Sequence, residues 1–276
     1  MRDLTPELAK TSRLAVFGGV YNNYLSLDAT LAEAAEQGAD QVICLGDLGG
    51  FGPFPDRSIE RLRSAEVITI QGNYDDSVGN SLPDCQCGYS DPRDNHFARI
   101  SYDYTLRNTN AENREWLRQL PAQAQANIWG LRLRFAHGSP RRVNEFLWES
   151  ATPSPFIRRM LDETGTDVVF VTHTGLHWQR WLGDSQHHRG VVNVGAIGRP
   201  ANNGDTRVWY ALVDAPSEPG GTPEVTFRGV EYDYEKLAAE MRAEALPEEF
   251  VETILSGWWT TCLEILPAKE RRISRY

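Results

Sequence analysis

Short apolar runs alternate with helical patterns over the first 70 residues of the chain. The run Val42–Leu45 is four apolar residues long, which predicts a buried strand of a parallel sheet. Leu14–Phe17 and Val67–Ile70 have the same length and character, and the intervening segments 25–37 and 55–63 have helical spacing. This alternation predicts a parallel βαβαβ layer.

The pattern lapses over residues 76–107, where Gly, Asn, Pro and Asp are frequent, and this stretch is predicted to be a surface loop or lid. Regular patterns then resume and predict a second sheet. Gln125–Trp129 and Leu131–Phe135 are expected to form a hairpin, and Val168–Val171 is expected to be a buried strand. The expected strands of the second sheet are Gly190–Val194, Val208–Val213 and Val225–Val230. Helices are expected over 109–120 and 156–164 and from residues 234 and 247 onward. We interpret residues 1–246 as one α/β domain of two packed sheets, and 247–276 as a helical extension and tail.

The amino-acid composition and net charge exclude some classes of protein. The 276 residues are 41% hydrophobic and 24% charged, as in a globular protein with a large core. The net charge of −10 argues against a general nucleic-acid binder. No apolar run is long enough to span a membrane and no signal core is visible, so the cytoplasm is the expected location. Cys85 and Cys87 are expected to be ordinary loop thiols.

Four polar residues each follow the end of an apolar strand. They are Asp47, Asn73, His137 and His173. Taken singly, each is more simply a turn residue or a hydrogen-bonded structural residue. Together, one carboxylate, one amide and two imidazoles favour a site for Mn, Fe or Zn over one for Ca or Mg.

These residues lie in motifs that resemble those of the calcineurin-like metallophosphoesterases, particularly the compact bacterial phosphodiesterases and phosphatases. The matching segments are Gly46-Asp47, Gly72-Asn73, His137-Gly-Ser-Pro140, Thr172-His173-Thr174 and Asn193-Val-Gly-Ala-Ile-Gly198-Arg-Pro200. The resemblance implies a four-layer α/β/β/α sandwich of two mixed sheets flanked by helices. It also implies hydrolysis of phosphate esters and assigns metal binding to Asp47, Asn73, His137 and His173.

This chain departs from the family pattern at the ligands of one of the family's two metal ions. Gly19-Val20-Tyr21-Asn22-Asn23 stands where the family has D-x-H-G-N, and Gly175 stands where it has the last His of G-H-T-H. The three unshared ligands of one metal are therefore missing, whereas the four ligands of the other are present. We infer one divalent transition metal per chain, with the second metal site lost.

Further residues near these motifs are candidates for substrate contacts. Tyr21, Tyr74 (where many family members have a catalytic His) and His177 are candidate catalytic groups, and Asn22, Asn23, Arg141 and Arg199 are candidate substrate-binding groups. Each has an equally simple structural interpretation: the tyrosines and asparagines could fill vacated volume, and the arginines could be solvated surface residues.

The leading hypothesis is a phosphoesterase, either a phosphodiesterase or a phosphatase, that uses one metal and acts on a small phosphorylated metabolite or nucleotide. The alternative is a catalytically weak or silent relative that binds a nucleotide or a protein partner. The aromatic-rich segment around Trp258 and Trp259 gives the alternative some support, although packing against the domain is the simpler interpretation of these residues.

Overall fold

The computed structural model describes residues 1–184 and 187–275. The strands, in chain order, are β1 (Arg2–Asp3), β2 (Arg13–Phe17), β3 (Gln41–Cys44), β4 (Ile68–Thr69), β5 (Gln123–Ile128), β6 (Leu131–Ala136), β7 (Val168–Val171), β8 (His177–Asp184), β9 (His187–Val194), β10 (Val208–Asp214) and β11 (Glu224–Val230). The helices are α1 (Thr5–Leu8), α2 (Tyr24–Glu36), α3 (Pro55–Ser64), α4 (Asn73–Gly79), α5 (Pro92–Asn108), α6 (Ala111–Gln119), α7 (Ser154–Thr164), α8 (Tyr234–Ala243), α9 (Glu248–Ser256) and α10 (Ala268–Ile273).

The strands form two mixed sheets. The five-stranded sheet has the order β11-β10-β2-β3-β4, in which β2, β3 and β4 are parallel and β10 runs antiparallel to β2 and β11. The six-stranded sheet has the order β1-β5-β6-β7-β9-β8, in which β6, β7 and β9 are parallel. Each sheet therefore has a parallel centre whose strands end at one edge.

Three apolar clusters produce four layers. Between the sheets, Val16 and Ile43 of one sheet join Phe135 and Phe170 of the other in a fully buried core. On the outer face of the five-stranded sheet, β2 and β3 pack against α2, α3, α5 and α6. On the outer face of the six-stranded sheet, β7 and β9 pack against α7. The predicted α/β/β/α sandwich is confirmed.

Two parts of the predicted pattern are wrong. The strands near Val208 and Val225 were expected in the second sheet, but β10 pairs with β2 at Ala211–Val16 and completes the first sheet. The segment 76–107 was expected to lack regular structure, but it contains the 17-residue helix α5. The buried face of α5 mixes Phe97 and Tyr102 with Ser101 and Thr105, so its hydrophobic periodicity is weak.

The C-terminal segment packs against the rest of the molecule. Phe250 of α9 lies in one apolar cluster with Tyr21, Phe51 and Phe97, and Trp259 is buried with Trp148 in another. Packing of Trp259 was the simpler interpretation of the aromatic segment and is what the structure has. Tyr276, the last residue of the predicted extension, lies outside the described residues. Among the described residues, no helix combines the length and the apolar character needed to cross a membrane.

Candidate metal centre

Three of the four predicted metal ligands converge at the carboxyl ends of parallel strands. Asp47 follows β3, His137 follows β6 and His173 follows β7. All three are buried, and one ligand atom from each lies within 4.8 Å of the others. The two sheets therefore bring residues from distant positions in the chain to one point, because parallel strands end at a common edge.

The hydrogen bonds of His137 determine which ring atom faces this point. Its Nδ1 lies 2.8 Å from the carbonyl oxygen of Leu45, so Nδ1–H donates and Nε2 is the ring atom that faces the other two residues. Nε2 in turn lies 3.2 Å from Oδ2 of Asp47 and 3.1 Å from Nδ1 of His173. An electron-rich cluster of this kind requires a proton or a metal cation between its members.

Asp47 and His173 have the protonation states of metal ligands. Burial lowers the pKa of His137, but Asp47 outweighs it and raises the pKa overall, so a bound metal would displace a proton from this ring. Burial raises the pKa of Asp47, but the neighbouring His137 and His173 outweigh it and lower the pKa overall, so the carboxylate is ionised. Burial, together with the charge on His137, lowers the pKa of His173 to about 3. The His173 imidazole is therefore neutral at physiological pH, as metal binding requires.

Asn73 presents its amide oxygen without a partner. Its Nδ2 donates to the carbonyl oxygen of Cys85 at 2.8 Å, and among the described residues nothing donates a hydrogen bond to its buried Oδ1. Orphaned buried acceptors are costly unless something binds them. The carboxylate, amide and imidazole donors therefore fit a divalent transition metal.

Asp75, a residue that the sequence patterns did not assign, holds the ends of β3 and β4 together. Its carboxylate accepts hydrogen bonds from the backbone N–H groups of Asp47, Leu48 and Gly72, at 2.8, 2.9 and 2.7 Å. Gly72 has to be glycine here, since a Cβ atom would lie 2.3 Å from Oδ1 of Asp47. Asp75 therefore positions Asp47, and its two oxygens are already used.

Three residues at this edge of the sheets have a left-handed backbone conformation. Asp47 has φ of +56°, His173 has +51° and Tyr21 has +50°, a region that residues with side chains seldom occupy. Each such residue costs on the order of 1–3 kcal/mol and persists only where the surroundings impose it. The strain supports a functional role for this edge of the sheets.

The candidate centre opens into a cavity with about 50 Å³ of space for the centres of water molecules. Asp47 and His173 line it, together with Tyr21, Tyr74 and Arg199 from the predicted set. The hydroxyl of Tyr74 donates to Oγ of Ser101 at 3.0 Å. Burial raises the pKa of both tyrosines, so both phenols stay protonated and act as donors.

Much of the remaining cavity wall comes from the segment that was predicted as a lid and from the C-terminal extension. The sequence patterns did not single out its individual residues, which include Tyr89, Phe97, Ser101, Phe250, Thr261 and Cys262. The only local signal for α5 was Asp91-Pro92, an N-cap followed by proline in the first turn. No motif links these residues to the strand ends.

Cys85 and Cys87 were expected to be free thiols, but the structure joins them in a disulfide. The chain turns at Gln86, which has φ of +52°, and this brings the two Cα atoms to 5.3 Å. The carbonyl group of Cys85 is the acceptor for Asn73, so the disulfide loop helps to orient that amide.

Four predicted site residues lie elsewhere. Asn22 donates to the carbonyl oxygen of Gly52 at 2.9 Å, and Asn23 caps α2 by accepting from the backbone N–H of Ser26, so both are buried structural groups. Arg141 is exposed, 3.8 Å from Glu145.

His177 begins β8 and stacks on Trp209 at 4.6 Å between ring centroids. It lines a second cavity together with Trp148 and Asn202 instead of the cavity at the metal centre. The structure therefore gives no support for a catalytic role of this histidine.

Residues 13–218 match the calcineurin-like phosphoesterase superfamily domain. The chain belongs to that superfamily, whose members hydrolyse phosphate esters with divalent metals. It is 27% identical to a metallophosphoesterase from Sphaerobacter thermophilus, whose crystal structure matches 90% of this chain and 100% of that chain with a TM-score of 0.66.

Two archaeal proteins are also similar to this chain. Uncharacterized protein MJ0912 of Methanocaldococcus jannaschii is 25% identical over 259 residues, which are 89% of this chain and 98% of that protein. The crystal structure of hypothetical protein PH1004 from Pyrococcus horikoshii OT3 has a TM-score of 0.73 at 23% identity and covers 90% of this chain and 99% of that one. The similarity to PH1004 shows the fold alone.

Proposed function

We propose that this superfamily member is a phosphoesterase that works with one divalent transition metal, Mn, Fe or Zn. The observation that carries the proposal is the convergence of Asp47, His137 and His173 within 4.8 Å at the wall of a cavity. Asn73 is the fourth proposed ligand, through its unpartnered Oδ1. A metal bound there would act as a Lewis acid toward a phosphoryl oxygen and make water easier to deprotonate.

The protein groups around the centre have separate tasks in this proposal. Asp75 and the carbonyl group of Leu45 hold Asp47 and His137 in place. Tyr21 donates a hydrogen bond to the phosphoryl group. Tyr74 is held by Ser101 and shapes the wall.

The size of the cavity supports a small reacting group. The cavity is small, about 50 Å³, and has Asp47 and Arg199 in its lining. The aromatic residues Phe97 and Tyr89 also line it and would contact the remainder of the substrate. A small phosphorylated metabolite or a nucleotide fits this description, and the predicted cytoplasmic location stays a prediction.

Release of p-nitrophenol from bis(p-nitrophenyl) phosphate in the presence of Mn²⁺ tests the proposal. Wild-type protein should turn over, Asp47→Asn should lose both bound metal and turnover, and Asp103→Asn, an exposed aspartate, should behave as wild type. A metal-loaded wild-type protein that hydrolyses neither this diester nor p-nitrophenyl phosphate would favour the silent-relative alternative.

A further inference from the structure

Beside the metal centre, the space next to two glycines is filled by larger side chains. A Cβ atom at Gly19 would lie 2.8 Å from Cζ and 2.9 Å from Oη of Tyr21. A Cβ atom at Gly175 would lie 3.3 Å from Cζ2 of Trp259 and 3.5 Å from Nη2 of Arg199. The side chains beside these two positions therefore include a phenol, a guanidinium and an indole, and Tyr21 and Arg199 also line the cavity.

Arg199 is a buried cation that interacts with the thiol of Cys262 and, among the described residues, with no carboxylate. The residue is 7% exposed, its Nε has no hydrogen-bond partner, and within the described part of the chain no carboxylate forms an ion pair with it. Its Cζ lies 3.7 Å from the ring centroid of Trp259 and 5.6 Å from that of Tyr21. Cation–π contacts offset only part of the free-energy cost of burying a charge. An anion bound in the cavity would offset the remainder.

The C-terminal segment holds this guanidinium in position. The indole N–H of Trp259 donates to the carbonyl oxygen of Pro200 at 2.7 Å, and its backbone N–H donates to Oδ1 of Asn202 at 2.8 Å. Both acceptors lie in the turn that carries Arg199. Trp259 thus joins the extension to the site and stacks on the charged group at the same time.

We propose that Arg199, Tyr21 and Trp259 form an anion-binding half-site beside the metal centre, in which the guanidinium supplies a second, fixed positive charge to the phosphoryl group. The inference rests on the proposed function and extends it: the group bound between metal and guanidinium is a phosphoryl anion. Arg199 binds that anion, and Trp259 is a positioning residue.

Inorganic phosphate is the probe, with its dissociation constant measured by calorimetry on Mn²⁺-loaded protein and metal content measured by plasma mass spectrometry. Arg199→Met should retain its metal and bind phosphate about 10- to 100-fold more weakly, the range for a hydrogen bond between charged groups. The phosphate affinity of Arg199→Lys should lie between those of Arg199→Met and wild type, because lysine keeps the positive charge but lacks the paired N–H donors of the guanidinium. Arg141→Met is the matched control and should bind phosphate as wild type does.

A second pair of variants tests the positioning role. Trp259→Phe keeps an aromatic face for the guanidinium but loses the indole N–H bond to Pro200, so it should weaken phosphate binding about 3-fold, whereas Trp259→Leu should weaken it about 10-fold, both with unchanged metal content. Wild-type phosphate affinity in Trp259→Leu would overturn the positioning role. Equal phosphate affinity in wild type, Arg199→Met and Arg199→Lys would overturn the half-site while leaving the phosphoesterase proposal intact. Wild-type protein that holds its metal but neither binds phosphate nor hydrolyses esters would instead overturn the proposed function.

Discussion

The two walls of the cavity are built in different ways. The metal wall consists of residues that directly follow parallel strands, and backbone groups such as the carbonyl of Leu45 fix their orientation. The other wall includes Tyr21 and Arg199, and Trp259 stacks on Arg199; the three residues are far apart in sequence and meet through tertiary packing. The ends of the strands therefore position the proposed metal ion, and the packed C-terminal segment positions the guanidinium of Arg199.

The largest expected effect comes from the metal wall. His137→Ala removes the imidazole whose Nε2 faces both Asp47 and His173, so metal content should fall well below one per chain. Hydrolysis should drop by about 10³-fold or more, since the Lewis acid contributes several kcal/mol. Plasma mass spectrometry and kcat/KM check both, with exposed His96→Ala as the matched control. Full metal content in His137→Ala would exclude this ligand assignment.

Tyr21 and Tyr74 provide a sharper comparison, because both line the cavity. Among the described residues, the hydroxyl of Tyr74 is hydrogen-bonded to that of Ser101, whereas the hydroxyl of Tyr21 has no such bond. Tyr21→Phe should lower kcat/KM about 10-fold, since its phenol is proposed to donate to the phosphoryl group. Tyr74→Phe should change kcat/KM little and cost about 1 kcal/mol of stability, because its hydroxyl is engaged by Ser101. Steady-state kinetics and urea unfolding distinguish the two. The reverse ranking in kcat/KM would assign the donor role to Tyr74.

The smallest effect concerns His177, which lies outside both walls. Burial lowers its pKa to about 4, below the value of about 6.5 in an unfolded chain. As the pH falls, the imidazole is therefore protonated in the unfolded chain before it is protonated in the folded protein. The free energy of unfolding decreases as pH falls from about 6.5 to 4. His177→Gln should remove on the order of 1–3 kcal/mol of this pH dependence and leave kcat/KM unchanged.

Denaturant titrations at pH 7, 6, 5 and 4 measure the effect of His177 on stability. A pH profile of His177→Gln that coincides with that of wild type would show that burial does not perturb this imidazole. A loss of kcat/KM with unchanged metal content would return His177 to the candidate catalytic groups.

The metal wall was predictable from the sequence because its residues obey a local rule: an apolar strand ends and a polar side chain follows. Asp47, His137 and His173 were found in this way, and the structure brings them together. The same rule gave no role to Asp75, whose task is to accept three backbone N–H groups across two strand ends. Hydrogen bonds between one side chain and the backbone of two strand ends produce no repeating sequence pattern from which they could be predicted.

The other wall could be predicted only in part. Arg199 and Tyr21 were candidates because they lie in motif positions, but the same reasoning selected Arg141, which is exposed. What separates the two arginines is burial against Trp259, a tertiary contact across 60 residues of chain. Asn22 and Asn23 lie beside Tyr21 in sequence yet point into the loop and the helix cap, because positive φ values at Tyr21 and Asn22 redirect the chain.

The number of metal ions per chain tests the account most directly. After saturation with Mn²⁺ and removal of free ions by gel filtration, plasma mass spectrometry should find one ion per chain in wild type and close to none in Asp47→Asn. The space beside Gly19 and Gly175 is filled by Tyr21, Arg199 and Trp259, and a guanidinium repels a second cation at short range. Two tightly held ions in the wild-type protein would contradict a site built from one metal and one guanidinium.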